Sequence, residues 1–426
     1  MVHDLSDKLP FRDEVTKVLR ADRAAQDALL PLEDCLQRMI VDGRRSSPGC
    51  PFRYDVFALP LPERSLISRI RQAAGGPPKM ASRRGGRPFG KLRAGSRQPA
   101  PAGKPGYSSV VAGLPHPSRF SKGGRNAVVI TGIGDDCSIL RIPANHEMLV
   151  TTDFSLEGVH FRRDWHPPES VGHRCLARGL SDFAAMGGEP VAAFLSLALP
   201  PKLPQRRADG FLQGLLNLAN QFRVKLAGGD TSASPNGILA DIIVVGSVPK
   251  GKAILRSGAR PGDRIYVTGE LGGSAAVLNL LNSKLNKQLR PTQYPSHFFP
   301  IPRIDVGRIL RERGIASSMI DISDGLSTDL SHLCEESGVG GEVRQEAIPK
   351  ASIGKPAQEV DIDFALHGGE DYELLFTARR GTRVPAKIAG VKITEIGRIT
   401  RSTRRILIAN GSQTDFKPRG WEHFRT

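Results

Sequence analysis

The stretch EMLVTTDFSLEGVHF, residues 147–161, carries the pattern that decides the fold. It is rich in β-branched and apolar residues, which predicts a β-strand, and it leads into an acidic turn. The preceding stretch AVVITGIGDDCSILRI (127–142) has the same character. Ordered structure is therefore predicted from Asn126 onward.

Outward from this pair of strands, helical and strand-like segments alternate. Residues 171–188 and 208–222 have helical spacing, whereas VAAFLSLALP, VKLAGGDTSA and LADIIVVGSVP are typical of strands. The order β-β-α-β-α-β-β predicts an α/β or α+β domain over residues 125–248. Alternation continues to the C-terminus, which predicts a second α/β domain over residues 249–426.

The N-terminal part of the chain has a different composition. We predict a partly helical extension at 1–60, the first helix of the following domain at 61–74, and a disordered insertion at 75–124, which is dense in Gly, Pro, Arg and Ser. The net charge of +17 belongs largely to residues 75–125, which contain eleven Lys or Arg and no acid. Such a segment could bind nucleic acid weakly, but a solvated insertion is the favoured interpretation.

Cysteine usage and hydropathy limit the cellular context. The five cysteines lie far apart without a CxxC pair, which argues against a disulfide framework or a structural zinc site. The longest apolar runs fall short of the roughly 20 residues that a membrane span needs. We therefore expect a cytoplasmic protein without a membrane partner.

Six predicted turns have the same sequence pattern, in which small residues surround aspartate or glutamate. They are GIGDD (132–136), TTD (151–153), LSD (180–182), GGDT (228–231), DISDG (321–325) and HGGEDYE (367–373). Any one of them would more often be a structural turn. Clustered carboxylates repel unless a cation lies among them, and Mg²⁺ prefers carboxylate oxygens and substrate phosphates. The set predicts a magnesium-dependent polyphosphate site.

Familiar signatures of nucleotide enzymes and hydrolases are missing from the sequence. There is no GxxxxGK[ST] loop, no protein-kinase motif set and no GxSxG. Metal-assisted phosphoryl transfer without a covalent intermediate is therefore favoured. A metal-dependent phosphohydrolase and a non-catalytic nucleic-acid-binding protein that acts through the basic insertion stay open as alternatives.

The order of the motifs is itself informative. GIGDDCSIL, TTDFSLEGVHF, LSDFAAMGGEP, GGDTS, RSGARPGD, DISDGLSTDL and GGEDYEL closely resemble the thiamine-monophosphate kinase family, over about residues 126–426. The resemblance implies the two-domain fold of aminoimidazole ribonucleotide synthetase, with an N-terminal mixed sheet that dimerises and a C-terminal α/β domain. It also implies ATP-dependent phosphorylation of thiamine monophosphate to thiamine diphosphate in a homodimer. Another ATP-using member of the superfamily is the alternative.

The same resemblance implies roles for individual residues, and no residue is assigned as a catalytic group. The implied magnesium ligands are Asp136, Thr151, Thr152, Asp153, Asp182, Asp230, Asp321 and Asp324. The implied ATP contacts are Gly229, Asp230, Arg256 and Ser323. The implied contacts to thiamine monophosphate are His160, Glu370 and Trp421. For His160, Arg256 and Trp421, a structural histidine, a surface charge and a core anchor are the respective alternatives.

Overall fold

Two sheets and the helices between them make up the described part of the protein. The computed structural model describes residues 128–133, 136–283 and 289–421. The predictions for 1–60, 61–74 and 75–124 lie outside these residues. Within them, no helix is both long and apolar enough to cross a membrane.

The first half forms a four-stranded mixed sheet with two helices. Its elements are β1 (Val129–Thr131), β2 (Ile139–Leu140), β3 (His146–Leu156), α1 (Pro168–Ala185), β4 (Glu189–Leu199), α2 (Gln205–Gln221), β5 (Lys225–Ala233) and β6 (Leu239–Pro249). The sheet order is β3-β6-β4-β5, in which β4 and β5 run parallel and β6 is antiparallel to both β3 and β4. The mixed sheet predicted from the sequence is confirmed.

The predicted first strand is shorter than its sequence suggested. Within the described residues 128–133 and 136–142 there are two short antiparallel strands, β1 and β2, which form a two-stranded sheet. Gly132 and Asp136 lie between these strands, and glycine and aspartate both disfavour strand conformation.

Strand β3 shows the alternation that its sequence predicted. Met148, Val150 and Phe154 are exposed on one face, whereas Thr151 and Asp153 point to the face that packs against α1. Period-two alternation therefore places one acidic motif next to the helix that carries another.

The second half forms an eight-stranded sheet with five helices among the described residues. Its elements are β7 (Arg264–Thr268), α3 (Gly273–Asn282), α4 (Pro295–Phe298), α5 (Ile304–Glu312), β8 (Ala316–Ile322), α6 (Leu326–Ser337), β9 (Gly340–Arg344), β10 (Ser352–Ile353), β11 (Gln358–Glu359), α7 (Ile362–His367), β12 (Glu373–Ala378), β13 (Lys387–Ile388), β14 (Val391–Thr400), β15 (Arg405–Ala409) and β16 (Ser412–Asp415). The sheet order is β16-β15-β9-β14-β7-β12-β8, with β13 added to β14. Strands β10 and β11 form a separate pair.

One hydrophobic core spans both halves. It joins residues of α1, α2, β4 and β6 to Val306 and Leu310 of α5 and to Leu374 and Phe376 of β12. A second core packs α6 against the other face of the large sheet. Helix α1 therefore lies between the small sheet, α2 and the C-terminal half.

Glycines let α1 approach its neighbours closely. A Cβ at Gly172 of α1 would lie 1.8 Å from the carbonyl oxygen of Phe211, and a Cβ at Gly214 of α2 would lie 1.8 Å from that of Glu169. On α5, a Cβ at Gly307 would lie 2.0 Å from the carbonyl oxygen of Ala184. Backbone atoms cannot move aside as a side chain can, so these helices touch only because the glycines lack a Cβ.

Replacing Gly214 with alanine is expected to destabilise the protein by about 2–3 kcal/mol, because overpacking forces the two helices apart. Thermal unfolding measures the effect. The control is Gly341→Ala, where a Cβ would meet its nearest neighbour, the flexible Cδ1 of Ile265, at 3.4 Å. Equal unfolding midpoints for the two variants would contradict the close packing of α1 on α2.

Candidate active site

Three aspartates that are distant in sequence meet beside α1, and we call Asp153, Asp182 and Asp321 the aspartate cluster. They lie on β3, on the last turn of α1 and on β8, respectively. Ser181 donates a hydrogen bond to Asp321 at 2.7 Å, and the Thr151 hydroxyl donates one to Asp182. The charge of Asp182 acts on both Asp153 and Asp321. The structure thus brings together four residues that the sequence predicted as metal ligands.

Burial and mutual repulsion oppose ionisation of this cluster. Burial is the largest cause for each carboxyl, and the charge of Asp182 adds to it at the other two positions. The pKa of Asp153 and that of Asp321 each rise to about 7, and the pKa of Asp182 is also raised. A cation among the three would relieve the repulsion, and hard oxygen donors suit a divalent ion such as Mg²⁺.

Other charged residues also act on the aspartate cluster: Arg178 lowers the pKa of Asp153, and Asp324 raises the pKa of Asp321. Arg256 is exposed, and its positive charge lowers the pKa of Asp182 and Asp321 against the effect of burial. Asp241 on β6 raises the pKa of Asp153, and its carboxylate accepts a hydrogen bond from the Thr152 hydroxyl at 2.7 Å. Sequence reasoning did not assign Asp241 to the site. Its signal was a charged residue inside the otherwise apolar strand LADIIVVGSVP.

A buried aspartate that sequence reasoning also missed shapes the turn between β8 and α6. The Oδ2 atom of Asp329 accepts hydrogen bonds from the backbone N–H groups of Asp324 at 3.1 Å and Gly325 at 3.0 Å. Gly325 has a φ of 110°, which favours glycine. Ligand atoms of Asp324, Asp329 and His332 lie within 4.8 Å of one another, so these three residues could also hold a cation.

Strand β5 forms one edge of the small sheet and carries two predicted nucleotide contacts. A Cβ at Gly229 would lie 1.9 Å from the carbonyl oxygen of Leu195, so only glycine fits there. Asp230 is exposed and accepts a hydrogen bond from the N–H of Thr231 at 2.8 Å. Asp136 is exposed in the turn before β2. No hydrogen bond between described residues joins Asp136 or Asp230 to the aspartate cluster.

Glu370 is held by two arginines of α1. Arg174 Nη2 donates to its Oε2 and Arg178 Nη2 donates to its Oε1, each at 2.5 Å. Burial alone would raise the pKa of Glu370, but the two guanidinium groups outweigh it and lower that pKa to about 2. The backbone N–H of Glu370 donates to the carbonyl oxygen of Ser323 at 2.8 Å. This hydrogen bond joins the HGGEDYE motif to the DISDG turn, which contains the predicted ATP contact Ser323.

The other two predicted acceptor contacts lie in different surroundings. His160 follows β3, and its Nδ1 accepts a hydrogen bond from the backbone N–H of Leu156 at 3.0 Å. Trp421 donates its backbone N–H to the carbonyl oxygen of Asp324 at 3.0 Å, while 52% of its surface is exposed. The alternative interpretation of Trp421 as a core anchor is therefore wrong. The residue lies next to the DISDG turn.

The remaining acids of the HGGEDYE motif have structural partners. Asp371 accepts hydrogen bonds from the N–H groups of Gly272 at 2.7 Å and Ser274 at 3.3 Å, at the start of α3. Glu373 accepts hydrogen bonds from Arg303 and from the Thr268 hydroxyl. Only Glu370 in this motif pairs with the N-terminal half.

The spacing of charged residues on α1 was a signal that sequence reasoning passed over. Arg174, Arg178 and Asp182 are four residues apart, so they lie on one face of the helix, about 6 Å apart along its axis. The two arginines face Glu370 and the aspartate joins the aspartate cluster. One face of α1 therefore extends from Glu370, at one end of the candidate site, to the aspartate cluster at the other end.

Comparison with known proteins identifies the family of this chain. The family model of the AIR synthase related protein N-terminal domain matches residues 134–248, and that of the C-terminal domain matches residues 260–410. Thiamine-monophosphate kinase of Salmonella typhimurium is 39% identical over 311 residues, which are 70% of this chain and 93% of that protein.

Two solved structures have the same fold. Thiamine-monophosphate kinase from Stenotrophomonas maltophilia K279a has a TM-score of 0.60 and 32% identity, covering 68% of this chain and 93% of its own. AaThiL complexed with AMPPCP and TMP has a TM-score of 0.58 and 33% identity, covering 66% and 89% of the two chains. The resemblance and the two-domain fold inferred from the motifs are confirmed. The chain belongs to the thiamine-monophosphate kinase family of AIR synthase related proteins.

Proposed function

We propose that this protein transfers the γ-phosphate of ATP to thiamine monophosphate and so forms thiamine diphosphate, as the last phosphorylation in the biosynthesis of that coenzyme. The observation that carries the proposal is the meeting of Asp153, Asp182 and Asp321 from both halves of the chain. The curated relatives support the reaction, and AaThiL was solved with AMPPCP, an ATP analogue, and TMP.

Magnesium fits the oxygen donors that this chain provides. The aspartate cluster with Thr151 is the centre of the proposed set, and Thr152, Asp136, Asp230 and Asp324 are its proposed outer members. Bound magnesium would neutralise phosphate oxygens that carboxylates would otherwise repel. The raised pKa values of Asp153 and Asp321 support this assignment, because burial and neighbouring carboxylates outweigh the nearby arginine charges at both positions.

The protein's own residues would position the two substrates. Gly229 and Asp230 on strand β5 would contact the nucleotide, and Arg256 and Ser323 would contact its phosphates. His160, Glu370 and Trp421 would contact thiamine monophosphate.

In direct in-line transfer, a phosphate oxygen of the acceptor attacks the γ-phosphorus, and the bond to the β–γ bridging oxygen breaks to release ADP. An acceptor phosphate is already ionised at neutral pH, so no general base is needed.

A second copy of the chain would complete the small sheet. Strand β3 lies at the sheet edge, and the side chains of Met148, Val150 and Phe154 are 58%, 57% and 56% exposed on one face. An apolar edge strand of this kind invites pairing. We therefore propose a homodimer through β3. We place it in the cytoplasm, with support from free thiols at Cys137, Cys175 and Cys334.

Purified protein is expected to convert thiamine monophosphate to thiamine diphosphate with ATP and Mg²⁺. Chromatography of the thiamine esters, with ADP measured in parallel, provides the test. Release of inorganic phosphate from ATP without any diphosphate product would identify a phosphohydrolase instead, and a folded protein without turnover would refute the kinase.

Asp153→Asn is expected to lower kcat at saturating substrates by about 100-fold or more, because one charge of the aspartate cluster is lost where phosphate charge must be neutralised. The control is Asp415→Asn, on β16 at the opposite edge of the large sheet from β8. Asp415 is exposed and pairs with Arg404. Full activity of the Asp153 variant would refute the metal assignment.

The stabilisation by Mg²⁺ is expected to grow between pH 6 and pH 8. Asp153 and Asp321 have pKa values of about 7 without metal, so protons compete with the cation below that pH. Because the folded pKa values exceed the unfolded ones, the metal-free protein loses stability as pH rises through 7. Melting curves with and without Mg²⁺ measure both trends. A magnesium-induced shift that is equal at the two pH values would contradict the assignment.

Val150→Lys combined with Phe154→Lys is expected to give a monomer of 46.1 kDa, because two charges would be buried in the proposed β3 interface. Light scattering after gel filtration measures the mass, and wild type should show twice that value. Leu278→Lys, at an exposed position on α3, is the control and should remain dimeric. A monomeric wild type, or a dimeric double variant, would refute this interface.

A further inference from the structure

Arg174 connects three parts of the molecule from a buried position. Its side chain is 3% exposed, and its Nη2 donates to Glu370 Oε2 at 2.5 Å. Its Nη1 donates to the backbone carbonyl oxygen of His297 in α4. Arg178, one turn later and more exposed, holds the other oxygen of Glu370. The carboxylate is thus fixed at both oxygens from the N-terminal half.

The backbone around Glu370 needs such support. Glu370 and Tyr372 have φ values of 64° and 52°, a left-handed conformation that is uncommon for residues other than glycine. Their N–H groups donate to the carbonyl oxygens of Ser323 at 2.8 Å and Ile322 at 2.9 Å. The turn at residues 370–372, which we call the Glu370 turn, is therefore hydrogen-bonded to the DISDG turn. The side chain of Glu370 contacts the arginines of α1.

Stability alone is a weak reason for this ion pair. The desolvation of a buried pair offsets much of its Coulombic attraction, and apolar replacements are often neutral or stabilising. A guanidinium fork does, however, fix the direction of a carboxylate better than any apolar contact can. We therefore interpret the ion pair between Arg174 and Glu370 as a means of orienting the carboxylate rather than of stabilising the fold.

We propose that Arg174 is a positioning residue, which holds the Glu370 carboxylate in the orientation that contacts the acceptor substrate. This inference rests on the proposed function, in which Glu370 binds thiamine monophosphate. Arg174 is too deeply buried to touch the acceptor, so it acts through Glu370.

The lone pairs of the carboxylate also indicate what Glu370 recognises. Each carboxylate oxygen has two lone pairs and uses one on an arginine, so the other can accept a hydrogen bond from a ligand. The hydrogen-bonding partner of Glu370 is therefore an N–H or O–H group of the acceptor.

The test compares Arg174→Met and Arg174→Lys with wild type, using kcat and the two KM values. We expect Arg174→Met to raise KM for thiamine monophosphate by about tenfold to 100-fold, the range of a hydrogen bond to a charged group, with KM for ATP within about twofold. Arg174→Lys keeps the charge without the fork and should restore KM in part. If Arg174→Met fails to fold, Arg174→Lys alone still provides the comparison of the two KM values.

Arg311→Met is the matched control. The Arg311 side chain is 5% exposed and also joins the two halves, since it donates to the carbonyl oxygen of Gly187 at 2.7 Å and to Glu189 at 2.9 Å. Its hydrogen bonds and ion pairs among the described residues go to Gly187, Glu189 and Glu312, and none reaches the turn that contains Glu370. Its replacement should lower the melting temperature but leave KM for thiamine monophosphate unchanged.

A double-mutant cycle separates positioning from packing. If Arg174 acts through Glu370, Arg174→Met combined with Glu370→Gln should raise KM for thiamine monophosphate no further than Glu370→Gln alone. Additive effects would overturn the inference, as would an unchanged KM in Arg174→Met. A wild-type protein that makes no thiamine diphosphate would overturn the proposed function and this inference with it.

Discussion

The structure depends on the burial of helix α1 between the two halves of the chain. Fourteen of its eighteen residues are buried, and glycines at its contacts with α2 and α5 allow backbone to meet backbone. Because α1 is fixed on several sides, polar residues along one of its faces have fixed positions too. Arg174, Arg178 and Asp182 are therefore held in line between the Glu370 turn and the aspartate cluster.

Charge is distributed unevenly along this line. At one end, Asp153, Asp182 and Asp321 are buried together, and the charges of Arg178 and Arg256 only partly offset the effect of burial and repulsion on their pKa values. At the other end, two arginines outnumber Glu370. This distribution of charge supports the proposed placement of the metal–nucleotide complex at the first end and of the acceptor substrate at the second.

Several acidic residues that lie in similar sequence motifs have different hydrogen-bond partners in the structure. Asp329 fixes the DISDG turn, Asp371 accepts hydrogen bonds at the start of α3, and Glu373 pairs with Arg303. Each has a partner inside its own half of the protein. Glu370 differs because its two arginine partners come from the other half, so the orientation of its carboxylate depends on how the two halves pack.

The sequence by itself determined the order of strands and helices, the acidic turns at strand ends and the family, because periodicity and motif order are local properties of a chain. It pointed to Asp153, Asp182 and Asp321 but could not show that they touch. Only the tertiary structure decided that Arg174 pairs with Glu370, 196 positions away, and that Thr152 donates a hydrogen bond to Asp241. Such contacts depend on how helices and sheets pack, and packing is set by side-chain shape and burial throughout the fold rather than by neighbours in sequence.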